Sequence, residues 1–134
     1  MPPPSPLGKV VADAEGVELG FVARADDQFL EVGEGPGATI RLGRRYVDSI
    51  GDRVMLKAPV YELFANLNVV DRDGEFVGVV RDTIDMEDVF DSIVVEDEDG
   101  RLLTVLLEDI RLIDEFIELS TTNEHLAQQA LSGG

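Results

Sequence analysis

The chain lacks cysteine and tryptophan altogether, and its 134 residues include one histidine and two lysines. Without cysteine there is neither a disulfide nor a thiolate metal site. His125 is the single imidazole and lies in the C-terminal tail, so a Ser–His pair or a His-rich metal site cannot be assembled. No apolar run approaches the ~20 residues of a membrane helix. The opening Met1-Pro2-Pro3-Pro4-Ser5-Pro6 lacks the basic and apolar regions of a signal peptide. These absences predict a cytoplasmic protein without direct membrane insertion.

Positive charge is also scarce. The net charge is −17, and it is uneven: residues 1–66 carry 10 acids against 7 bases, whereas residues 67–134 carry 18 against 4. Nucleic acid and anionic lipid are disfavoured as partners, because both need a basic surface. High acid with little lysine fits a halophilic proteome, where salt screens self-repulsion; an ordinary acidic mesophilic protein is the plainer alternative.

What the chain does have is a repeat. Val11-Ala12-Asp13-Ala14-Glu15-Gly16-Val17-Glu18-Leu19-Gly20-Phe21-Val22 returns 58 residues later as Val69-Val70-Asp71-Arg72-Asp73-Gly74-Glu75-Phe76-Val77-Gly78-Val79-Val80, identical at five of twelve positions. Val47, Ile50, Asp52, Val54 and Leu56 correspond to Ile110, Ile113, Glu115, Ile117 and Leu119, now 63 residues apart. The second copy is thus about five residues longer inside. Copies of this length stand near the lower limit for a stable separate core, so they should pack on each other or on a second chain.

The pattern is short strands cut by turns, which predicts an all-β fold of two tandem small barrels with minor short helices. Residues 1–8 read as a disordered Pro-rich tail, 9–57 as the first barrel, 58–67 as a connector, 68–119 as the second barrel and 120–134 as a C-terminal tail with a short helix from Glu124 to Leu131 capped by Asn123. Gly16 and Gly74 sit where tight turns need positive φ, and Gly20 and Gly78 lie inside the returning strands, where a bulge or close backbone approach is expected. Single helical turns are expected over Tyr46–Ile50, over Glu108–Ile113 and around Tyr61, Leu63 and Phe64. The run Leu102-Leu103-Thr104-Val105-Leu106-Leu107 is apolar on both strand faces and therefore needs cover on both. Packing of copy on copy is the simplest cover; a second protomer or a partner protein is the other. Whether the copies close separately or exchange strands stays open.

Candidate chemistry is thin. Setting Gly74 or Gly100 at the sixth position of a calcium loop puts Val69 or Val95 at the first ligand, so neither fits. Asp71/Asp73 and Asp97/Glu98/Asp99 read as solvated turns. The run Asp82, Asp85, Glu87, Asp88, Asp91 reads as a solvated loop, but its interleaved Ile84, Met86, Val89 and Phe90 are candidate partner contacts, since variable loops carry function more often than their frame. Arg41, Arg44 and Arg45 form a basic cluster with Arg53 that meets an acidic surface, the second copy or a partner. Gly33-Glu34-Gly35-Pro36-Gly37 lacks the lysine and helix of a phosphate loop. No catalytic residue, cofactor or metal is expected, and the chain is not expected to be an enzyme.

The hairpin Val-x-Asp-x-(Asp/Glu)-Gly-x-x-(Val/Leu)-Gly-x-Val, with the closing elements Tyr46-Val47-Asp48-Ser49-Ile50-Gly51-Asp52 and Asp109-Ile110-Arg111-Leu112-Ile113-Asp114-Glu115, resembles the PRC-barrel family over residues 9–57 and 68–119. The resemblance implies small β-barrels that act as interaction modules without shared catalytic residues. It is most similar to the stand-alone archaeal PRC-barrel cell-division adaptors. These associate with one another and with SepF, the membrane anchor of the FtsZ ring, and so imply a homo- or hetero-oligomer recruited to the division site. The alternative it implies is a ribosome-assembly or RNA-processing accessory factor.

Overall fold

The structure is a computed structural model and describes residues 5–34 and 38–122; the expected helix Glu124–Leu131 and His125 lie outside these. Among the described residues the regular structure is almost wholly strand. The first half holds β1 (Val10–Ala12), β2 (Glu18–Ala25), β3 (Phe29–Gly33), β4 (Ile40–Gly43), β5 (Val47–Ile50) and β6 (Val54–Leu56). A short helix α1 (Val60–Leu63) connects to β7 (Asn68–Val70), β8 (Phe76–Met86), β9 (Val89–Glu96), β10 (Leu102–Leu106), β11 (Ile110–Ile113) and β12 (Ile117–Leu119). Two 3₁₀ turns, Arg44–Tyr46 and Leu107–Asp109, precede β5 and β11. The chain is all-β, as its patterning predicts.

The two halves are wired alike. β1 to β4 pair antiparallel in sequence, β5 pairs β6, and β6 returns parallel to β1. β7 to β10, β11 and β12 repeat each of these pairings. The opening turns are equivalent: Gly16 and Gly74 have φ of 89° and 85°, and their N–H groups donate to the carbonyls of Asp13 and Asp71. A Cβ at Gly20 would lie 2.7 Å from the Gly33 carbonyl oxygen, and one at Gly78 would collide with the Glu96 carbonyl, so both glycines mark close strand approach.

The equivalence reaches further back than the sequence match. Gly8 and Asn66 both have positive φ, and each donates its N–H to the carbonyl of an equivalent valine in its own copy, Val22 and Val80. Part of the expected disordered tail is therefore structured: Pro6 is buried and Gly8 is bonded to β2. A β-edge carbonyl in need of a donor holds this segment down.

Two other expectations are corrected. The helical turns come about two residues earlier than expected, and Val47–Ile50 and Ile110–Ile113 are strands, since β-branched residues alternating with polar ones fit a pleat better than a helix. The acidic run from Asp82 to Asp91 is not a loop but the end of a long hairpin, with β8 and β9 paired out to Met86 and Val89. Glu87 and Asp88 make its two-residue turn, both at positive φ.

The copies exchange contacts rather than closing separately. β4 of the first half pairs in parallel with β11 of the second, Arg41 opposite Leu112 and Leu42 opposite Ile113. One twelve-stranded sheet results, in the order β10-β9-β8-β7-β12-β11-β4-β3-β2-β1-β6-β5, with a further bridge from Glu18 of β2 to Val89 of β9. A single core spans both halves. At its centre Phe64, just after α1, meets Tyr46 edge-on at 5.4 Å and stacks on Phe90 at 5.8 Å. First copy, connector and second copy each supply one of these rings, which is how units too small to stand alone share one interior.

Candidate protein-docking surface

The five-residue excess of the second copy is the β8–β9 hairpin end. Its equivalent in the first copy is the tight turn Asp26-Asp27-Gln28. The Asp26 carboxylate accepts the backbone N–H groups of Gln28 and Phe29 at 2.8 Å, and these hold its pKa below the ordinary carboxylate value. In the second copy the longer hairpin reaches across to the first, where Glu18 donates its N–H to the Asp88 carbonyl at 2.8 Å. The hairpin has two sides. Phe90 is buried in the shared core, whereas Met86 is 61% exposed and Val89 36%. Ile84 is half-buried on the sheet.

Beneath Met86 and Val89 runs a groove of about 660 Å³ between the copies. Leu19, Val32 and Ile40 form its first-copy wall, and Phe90, Leu106 and Leu107 its second-copy wall. Its charged lining consists of Glu34, Asp91 and Glu108, all exposed. Alkyl walls under a rim of carboxylates suit an apolar side chain carried by a basic partner. The same lining holds no histidine, cysteine, serine or lysine with which to build a nucleophile and base. Among the described residues no three of His, Cys, Asp and Glu are grouped to hold a metal ion, and no helix is long and apolar enough to cross a membrane.

The doubly apolar strand is only half covered. Val105 of β10 is buried against Ile93, but on the opposite face Leu102 is 65% and Leu106 43% exposed. The simplest cover, copy on copy, is therefore absent from this face. The strand also ends at Leu106, and Leu107 begins the 3₁₀ turn, which lets Leu107 lean on the core. The β10 register aligns Leu106 with Ser92 and then Ile84 across the sheet, and the Ser92 hydroxyl between them is buried without a hydrogen-bond partner.

The arginine cluster stays at the surface but is engaged by groups of the chain itself. Arg45 Nε donates to Asp114 Oδ1 at 2.7 Å and its Nη2 to Glu115 Oε1 at 3.2 Å, a pair that raises the guanidinium pKa. Arg41 lies 4.2 Å over the Phe29 ring, and Arg44 Nε donates to the Asp26 carbonyl at 2.6 Å. Next to Arg45, the Tyr46 hydroxyl donates to the Asp114 carbonyl; burial of the ring raises the phenol pKa. Arg45 and Tyr46 thus latch the β4–β11 seam to the second copy, while Arg41 and Arg44 are engaged within the first.

Asp71 departs from the expected solvated turn: it is buried, as is its equivalent Asp13. Asp13 Oδ1 accepts the N–H groups of Glu15 and Val17, and its Oδ2 accepts that of Val60 at the start of α1. Asp71 Oδ1 likewise accepts from Asp73 and Glu75. A carboxylate that takes up otherwise orphaned backbone donors belongs inside. The signal was in the sequence, since Asp13 and Asp71 are among the five identities of the repeat.

No protein-family model matches the chain, and no curated protein does. Among solved structures, a "putative 16S ribosomal RNA processing protein RimM" from Pseudomonas aeruginosa is similar at 16% identity, over 87% of this chain and 77% of that one, with a TM-score of 0.39. At that score the likeness carries no functional argument.

Proposed function

We propose that this chain is a non-enzymatic protein-interaction module that docks a basic partner protein in the groove between its copies. The observation that supports it is the apolar groove, open at Met86, Val89 and Leu106 and rimmed by Glu34, Asp91 and Glu108. A surface so acidic repels phosphate backbones, so in any ribonucleoprotein setting the contact is made to protein and not to RNA. Of the two settings drawn from the family resemblance, archaeal cell division with a SepF-type anchor has no comparison behind it. Ribosome assembly is the other setting, and in either one the groove would take a basic protein. The acidic, lysine-poor surface fits work at high salt, where the rim stays soluble while its long-range field is screened.

The test is a photo-crosslinking residue at position 86 of the full chain, followed by identification of what it captures in cells. A basic protein is expected, one that co-sediments with ribosomal particles in the ribosome-assembly setting and bands at mid-cell in the cell-division one. The substitution Val89→Glu beside it, at an exposed position, should leave the fold intact and reduce capture about tenfold or more. Capture of RNA, or capture unchanged by Val89→Glu, removes the reading.

A further inference from the structure

The repeat predicts a contact that the chain makes only once. In the β4–β11 seam the first copy gives β4 and the second gives β11. The equivalent seam would join β10, counterpart of β4, to β5, counterpart of β11. Instead β10 and β5 are the two ends of the sheet. The β8–β9 hairpin, longer only in the second copy, is bonded to β2 on that side of the molecule instead.

The residues at the two seams differ in a complementary way. In the closed seam Gly43 has no room for a Cβ, because the Asp114 side chain fills that space. At the positions 63 residues away, the glycine is replaced by Leu106 and the aspartate matches Gly51, around which a Cβ would meet nothing within 4 Å. Large on small becomes small on large with the strands reversed in role. Leu102, Thr104 and Leu106 stand where the first copy has Thr39, Arg41 and Gly43, so the open β10 presents the more apolar face. An apolar-faced edge strand that pairs on one side only among the described residues is a template for another strand.

We propose that β10 takes the β5 edge of a second copy of this chain, in parallel and in the register of the internal seam, so that Thr104 lies opposite the second copy's Ser49 position and Val105 opposite its Ile50 position. Reciprocal use of both edges gives a two-fold dimer with no sheet end left over. This goes beyond the docking groove, with which the seam shares Leu106 and Glu108, and is argued from the repeat alone. The seam also explains a condition on the dimer. Where the internal seam has Arg45 and Tyr46 facing Asp114 and Glu115, the open one has Glu108 and Asp109 facing Gly51 and Asp52. Like charges meet, and each protomer carries −17. Association therefore requires salt, which shortens the screening length from ~10 Å at about 0.1 M to ~3 Å at about 1 M.

Two measurements test this on the full chain. Mass by light scattering should rise from monomer to dimer between those salt concentrations. Because the chain has no cysteine, a Ser49→Cys chain and a Thr104→Cys chain can be mixed at high salt with a short bifunctional maleimide. The cross-linked heterodimer should dominate over either self-linked product and over a mixture of Ser49→Cys with Leu102→Cys. Ser49→Glu, at an exposed position, should weaken the dimer about tenfold or more and leave monomer unfolding and capture at position 86 by the low-salt monomer unchanged. A monomer at every salt concentration, preferential Thr104→Cys self-linking, or a dimer indifferent to Ser49→Glu would overturn the proposal without touching the groove.

Discussion

The two copies share a frame and differ at its margins. Their turns, bulges and return hydrogen bonds superimpose residue for residue: Lys57 N–H to the Tyr46 carbonyl matches Ser120 N–H to that of Asp109, and Ala14 N–H to Ala58 matches Arg72 N–H to Thr121. At the margins the first copy ends its sheet in a latched seam, with Gly43 under Asp114 and Arg45 across Asp114 and Glu115. The second ends in an open strand with exposed Leu102 and Leu106. The frame is held by backbone geometry and buried carboxylates, which leave little freedom. The margins are set by single side chains, and there one copy serves stability while the other is left to display.

The largest effect should come from the insertion that makes the copies unequal. Phe90 is buried and stacks on Phe64 at the centre of the shared core. Phe90→Ala should destabilise by about 3–5 kcal/mol, from lost burial plus the cavity left behind. Urea unfolding checks this. A cost under about 1 kcal/mol would mean that the copies are held together by the seam alone.

A smaller effect should come from giving the first copy the second copy's residue. Gly43→Leu places the Leu106 side chain against Asp114. The Gly43 backbone, at φ −61° and ψ 134°, suits any residue, so the cost is steric and amounts to about 1–3 kcal/mol if the seam must widen. The distinguishing readout is hydrogen exchange at β11, which should quicken while β8 and β9 stay protected. Uniform loss of protection would argue that seam and core form one unit.

The frame was legible because repetition is an internal control: Gly16 with Gly74 and Gly20 with Gly78 each predicted a backbone event that the other confirmed. The hairpin end was legible only in part. Ile84, Met86, Val89 and Phe90 stood out among acids, but their spacing did not tell Phe90, which turns into the core, from Met86, which does not. A bulge between Ile84 and Asp85 resets the alternation there. The seam could not be read at all, because β4 and β11 are joined by backbone bonds across about seventy residues and carry no mark of which neighbour each will choose. The same blindness hid the role of Arg45, whose partners lie 69 and 70 residues on. Buried Asp71 was missed for a different reason: turn acids are usually wet, and only the backbone donors around it, as around its equivalent Asp13, show otherwise.

The smallest effect, and the one most specific to the latch, is alkaline. The Tyr46 phenol is buried and donates to the Asp114 carbonyl across the seam, and its pKa is raised above the ordinary value of 10.0. A phenol harder to ionise when folded stabilises the neutral seam in full below the unfolded pKa, and this contribution is lost as pH rises through the folded one. Stability should thus fall with pH only above about 10, and Tyr46→Phe should flatten that limb at a modest cost in neutral solution, about 0.5–1.5 kcal/mol for one hydrogen bond. Tyr61 gives the internal reference. Its pKa is raised first by a hydrogen bond to Glu15 at an exposed site, far from the seam in role, so Tyr61→Phe should leave hydrogen exchange at β11 unchanged on either side of that pH. If both variants loosen β11 alike, the latch is not local to the β4–β11 seam, and the contrast between a fastened copy and an open one loses its chemical basis.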